Sequence, residues 1–166
     1  LSEKTSILTK IENLFGAGYA AKEDLRDLDK QLRDGYFAEF KGMRKTWEEI
    51  YLTALKRGVA GDEFKKVIQV IDRIAEKVHH ADYGYAGLFD RTGHIREAEL
   101  QKILGHDKAL EQDIAEIKKA IEGLYADSER QNTDDLAKVR SIKSLILALE
   151  SKWNRREEIL TKGGKD

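Results

Sequence analysis

Apolar residues recur along most of this chain at steps of three and four, the spacing that stacks side chains on one face of an α-helix. The first such segment covers about Ser2 to Phe15, with Ile7, Leu8, Ile11, Leu14 and Phe15 on one face. "GAG" at 16–18 stops it, because glycine accepts the left-handed conformation common at helix ends. The second runs from about Lys22 to Arg57 through Leu25, Leu28, Leu32, Tyr36, Phe40, Met43, Trp47, Ile50 and Ala54. These steps make a coiled-coil seam, with an extra four-residue step near Tyr36 that locally relaxes the supercoil.

"RGVAGD" at 57–62 interrupts the pattern, and Asp62 is the expected N-cap of the third helix. Its seam reads Phe64, Val67, Ile71, Ile74, Val78, Ala81, Tyr85 and Leu88, with "DRTG" at 90–93 as the next turn. The fourth helix carries Leu100, Ile103, Leu110, Ile114, Ile117, Ile121 and Leu124. After "SERQNT", with Thr133 as a candidate cap, the fifth presents Val139, Ile142, Ile146, Leu149, Trp153 and Leu160. Around Leu145 to Leu149 its apolar surface widens, which predicts contact with more than one neighbour.

No segment has a strand period, so the expected class is all-α. Short connections predict antiparallel neighbours. The expected architecture is an elongated antiparallel up-down-up-down four-helix bundle with coiled-coil-like seams. A short N-terminal helix folds against one end. One domain spans 1–166, with the short helix and its glycine-rich turn at 1–18 and four long helices over 22–162. At about 1.5 Å per residue, helices of roughly 30 residues reach about 45 Å.

Composition narrows the function classes. Lysine plus arginine total 30 against 31 acids, for a formal net charge of -1. That balance disfavours nucleic acid, which calls for a basic field. The one basic cluster, "KWNRREE" at 152–158, carries its own acids. With no cysteine there is no disulfide and no zinc–thiolate site, which fits a reducing interior. No apolar run approaches the roughly 20 residues that span a bilayer, the longest being "LILAL" at 145–149. The expectation is a soluble, cytoplasmic protein with no membrane partner. High charge and no cysteine also give it a thermophile-like composition.

One seam slot breaks the rule. After Leu100 and Ile103 the next inward position is Asp107, a carboxylate that must be paired or hydrated there. A hairpin turning near residue 91 brings Asp107 and His106 level with Ala75 to Lys77. Glu76, His79, His106 and Asp107 then form one candidate metal site for a divalent transition metal such as zinc, nickel or iron. His79 and Asp82 offer a further ligand pair. Glu76-x-x-His79 has the spacing used by di-iron carboxylate bundles, but the residue three before His106 is Ile103, so the second copy is missing. His80 followed by His106-Asp107 is similar to the motif of the metal-dependent phosphohydrolases named for that dipeptide, with Asp113 or Asp127 as distal partner. The long seams suit that compact fold badly, and no family is assigned.

The plain alternatives are a solvated face for Glu76, His79 and His80, and an ion pair from Asp107 to Arg73 or Lys77. Helical glycines at 35, 42, 84, 87, 105 and 123 either let backbones approach or leave room for a ligand. Tyr83, Tyr85 and Phe89 read as packing at a hairpin tip. The leading functional expectation is a non-enzymatic module that binds a protein partner or forms a homo-oligomer, with helix 2–15 as contributor. The alternative is the mid-bundle metal or small-ligand site, with hydrolysis by a metal-activated water.

Overall fold

The computed structural model describes residues 6–16, 22–59, 61–81, 84–88, 96–129 and 135–163. It is all-helical, with no strand among the described residues. In chain order the helices are α1 (Ile7–Gly16), α2 (Lys22–Lys56), α3 (Asp62–His79), α4 (Glu97–Glu129) and α5 (Asp135–Gly163). A single 3-10 turn, Tyr85–Leu88, lies between α3 and α4. Thr133, Asp82, Tyr83 and Phe89, singled out above, fall outside the described residues.

Glycine governs both sides of the α2–α3 break. Gly58 has φ +71, and its N–H donates to the Leu55 carbonyl at 3.1 Å while the Val59 N–H reaches Ala54 at 3.0 Å. Those paired bonds are the Schellman termination, which satisfies carbonyls that the helix end would otherwise leave open. At the start of α3 the expected cap is displaced by one residue. Gly61 occupies the N-cap without a side-chain bond, and Asp62 and Glu63 fill the first turn. Carboxylates there still favour the helix by lying at the positive end of its dipole.

The expected third helix is too long. It stops at His79, and Tyr85 and Leu88 reach the core from the 3-10 turn instead. A Cβ at Gly84 would collide with the Asp29 carboxyl group, so the chain passes α2 only because a hydrogen stands there. Arg96 then ties the turn to α4, donating to the Gly87 carbonyl at 2.6 Å while its backbone N–H reaches Leu88 at 3.1 Å.

Paired contacts give the helix directions. Between α2 and α3, Arg44 meets Asp72 at 2.7 Å and the Trp47 indole N–H donates to the Phe64 carbonyl at 2.9 Å, so the numbers run oppositely. Between α4 and α5, Asp113 meets Lys152 and Asp127 meets Lys138, each at 2.5 Å, again antiparallel. The other two contacts are parallel. Glu63 pairs with Lys143 at 2.8 Å and Arg73 with Glu150 at 2.6 Å across α3 and α5. Across α2 and α4, Glu39 pairs with Lys118 at 3.3 Å, ten and eleven residues beyond an Asp29/Asp107 level.

Each long helix therefore touches two others, in the order α2, α3, α5, α4. Among the described residues α3 and α4 do not touch. α3 and α4 therefore do not pair as the hairpin expected near residue 91, a position that lies outside the described residues. α1 lies on α2 and α4, burying Leu8 and Ile11 there. The apolar seams of all four long helices meet in one core, where a fully buried aliphatic side chain contributes about 1.5–3 kcal/mol.

Candidate functional site

Asp107 does point inward, and it is 0% exposed. Its partner is not Arg73 or Lys77, which pair with Glu150 on the outer face. The partner is Arg156, also 0% exposed, whose Nε donates to Asp107 Oδ1 at 2.7 Å. Arg156 Nη2 reaches Asp107 Oδ2 at 3.3 Å and Asp29 Oδ1 at 3.2 Å. Tyr85 donates its hydroxyl to Asp107 Oδ2 at 2.7 Å. Arg33 closes the set, with Nε on Asp29 Oδ2 at 2.9 Å and an Nη1 bond to the Ala81 carbonyl.

Two aspartates and two arginines thus balance in charge beside the 3-10 turn. The guanidinium of Arg156 also lies over the Trp153 ring, 4.7 Å from its centroid. Burial raises the Asp29 carboxyl above the ordinary aspartate range, against the pull of Arg156 and Arg33. For Arg156 burial works against the cation, yet Asp107 and Asp29 outweigh it and the net shift is upward. Burial and then Asp107 push the Tyr85 phenol upward. Every charge here faces another protein group, and the arrangement joins α2, α4, α5 and the 3-10 turn. Its chemistry is cohesion.

Glu76, His79 and His106 are elsewhere. Glu76 is exposed and pairs with His80 Nε2 at 2.9 Å. His79, also exposed, lies 4.5 Å from the Phe37 ring, centroid to centroid. His106 is half-buried in a groove between α4 and α5. No group of three or more His, Asp or Glu among the described residues is placed to hold a metal ion. The cross-section drawn from residue 91 does not form among the described residues, where α3 ends at His79 and makes no contact with α4.

Asp29 and Arg156 were missed in the sequence, although Arg156 carries a signal. It fills the slot between Trp153 and Leu160, as Asp107 fills the slot between Ile103 and Leu110. Two opposite charges on two facing seams predict each other.

Two surface features stand apart from this centre. Leu52, Leu55 and Val59 are 54%, 48% and 53% exposed along the end of α2 and just beyond it. On α5, Leu136, Leu145 and Leu147 are exposed as well. There α5 touches both α3 and α4, as its wide apolar surface predicts, yet Leu145 and Leu147 remain uncovered. No helix among the described residues is long and apolar enough to cross a membrane. Comparison with known protein families, curated proteins and solved structures finds no match for this chain.

Proposed function

We propose that this chain is a non-enzymatic helical scaffold that self-associates through the C-terminal end of α2. The reading takes the four long helices as an elongated up-down bundle and rests on one observation, the exposed run of Leu52, Leu55 and Val59. Leu52 and Leu55 stand three residues apart on one face of α2, and Val59 follows directly after the Gly58 stop. The run faces away from the buried seam of Trp47, Ile50 and Ala54, so a second copy laid against it would bury both stripes.

α1, the contributor expected from sequence, has its apolar face covered already, with Leu8 and Ile11 buried within the chain. Three side chains make a small contact, and interfaces below about 1,000 Å² belong to weak, reversible encounters. A chain without cysteine suits a reducing compartment, so the scaffold is placed in the cytoplasm.

Sedimentation velocity from micromolar to millimolar protein tests the reading. The parent chain should show a rising sedimentation coefficient with concentration, and Leu52→Glu/Leu55→Glu should stay monomeric throughout. Both positions are exposed, so the substitutions leave the core intact. A parent chain that stays monomeric over the whole range would end it.

A further inference from the structure

The cluster "KWNRREE" divides when the helix forms. Arg156 turns inward to Asp107 and Asp29, while Lys152 and Arg155 stay on the outer surface of α5. Across the seam, Lys102 and His106 stand four residues apart on one face of α4. Between them runs a groove of about 560 Å³, bordered by these four side chains and the Ser151 hydroxyl. Gly105 is part of its lining, and a Cβ there would meet nothing within 4 Å.

No carboxylate lines this groove, in a chain whose acids slightly outnumber its bases. Lys152 is held by Asp113 at 2.5 Å. Lys102 and Arg155 make no ion pair among the described residues. Like charges facing one concavity raise its potential and draw in an anion. The donors are also of the right kind. Arginine presents a planar fork that matches phosphate oxygens, lysine adds a point charge, and serine and histidine supply neutral donors.

Spacing decides the size of the anion. Asp107 and Arg156 touch, so Arg155 lies near the level of residue 107. Lys102 lies five residues back along α4, about 7.5 Å at about 1.5 Å per residue. A short chain of phosphates presents oxygens along that span and so meets more of these donors at once than a single phosphate does. The volume falls within the range of about 300–1,000 Å³ typical of small-ligand sites. We propose that the α4–α5 groove binds a soluble oligophosphate, with Lys102 and Arg155 as its principal anchors and Ser151 and His106 as donors between them.

The test is isothermal titration of the intact chain with inorganic triphosphate at low salt. Binding near one equivalent is expected. Lys102→Ser/Arg155→Ser should weaken it at least tenfold, while the charge-matched Lys119→Ser/Arg140→Ser leaves it unchanged. All four positions are exposed, so none carries the fold. Gly105→Met, which changes no charge, should also weaken binding by filling the groove. Three results would each overturn the proposal: no binding by the parent, equal loss in both charge variants, or full binding by Gly105→Met. A fourth is binding to vesicles of phosphatidic acid without binding to triphosphate, which would assign the basic face to a membrane surface instead.

Discussion

Arg156 enters the core because α5 leaves its side chain no other direction. It sits three residues after Trp153 and four before Leu160, both buried, so the helix repeat points it inward with them. A buried guanidinium is costly unless its charge is answered. Asp107 and Asp29 supply that answer and accept from Nε and Nη2, whereas Nη1 is buried with no hydrogen-bond partner among the described residues. Arg156→Met should therefore cost about 3–5 kcal/mol in chemical denaturation, since it leaves Asp107 buried without a cation and Asp29 with Arg33 alone. The loss should shrink as pH falls. Burial already holds the Asp29 pKa up, and without the pull of Arg156 the folded state favours its protonated form further. Adding Asp29→Asn and Asp107→Asn should recover most of the stability. A triple variant no better than the single one would mean that the guanidinium acts through packing alone.

Glu150 obeys the opposite sign. Hydrogen bonds from Arg73, at 2.6 and 2.8 Å, outweigh partial burial and, with Lys77, hold its carboxyl below the ordinary glutamate range. Its contribution is present above the unfolded-chain value of about 4.3 and is lost as pH falls through the lower folded value. Melting curves of Glu150→Gln should lie below the parent at neutral pH and merge with it in acid. A constant gap down to acid pH would contradict this. Asp107 was legible from its seam slot. Asp29 was less so, because it stands beside half-buried Leu28 on a seam that reads as complete without it.

At the scale of elements, periodicity located every long helix and misplaced one end. The 3-10 turn presents Tyr85 and Leu88 three apart, the same step a continuing α-helix would use, so the apolar pattern runs through the break unchanged. Only the glycines mark it, and they are ambiguous in sequence. The structure separates them. Gly84 lies against the Asp29 carboxylate, which two arginines pin in place, whereas a Cβ at Gly35, Gly42, Gly105 or Gly123 meets nothing within 4 Å. Gly84→Ala should therefore destabilise by about 1–3 kcal/mol, as overpacking does. Gly123→Ala should stabilise by up to about 1 kcal/mol through helix propensity. Thermal melts of the two variants that move in the same direction would show that close approach is not the reason for Gly84.

At the scale of the whole molecule, the order of neighbours was the least legible feature. An apolar seam says that a helix is buried on one side and not which helix covers it. Among the described residues α3 and α4 share no contact, and each instead borders both α2 and α5. That arrangement places Asp29, Asp107 and Arg156 at one level, and it separates His79 from His106. It leaves the outer face of the last turns of α2 bare, with Leu55 between Leu52 on the helix and Val59 just past its end. In a symmetric pair closed over this run, the central residue meets its own copy. The chain has no cysteine, so Leu55→Cys creates a unique thiol that reports the meeting directly. Mild oxidation at graded protein concentration should link Leu55→Cys into dimers far faster than Leu147→Cys, another exposed leucine position, on α5. Equal rates at the two sites, or no linked dimer from Leu55→Cys, would contradict association through α2.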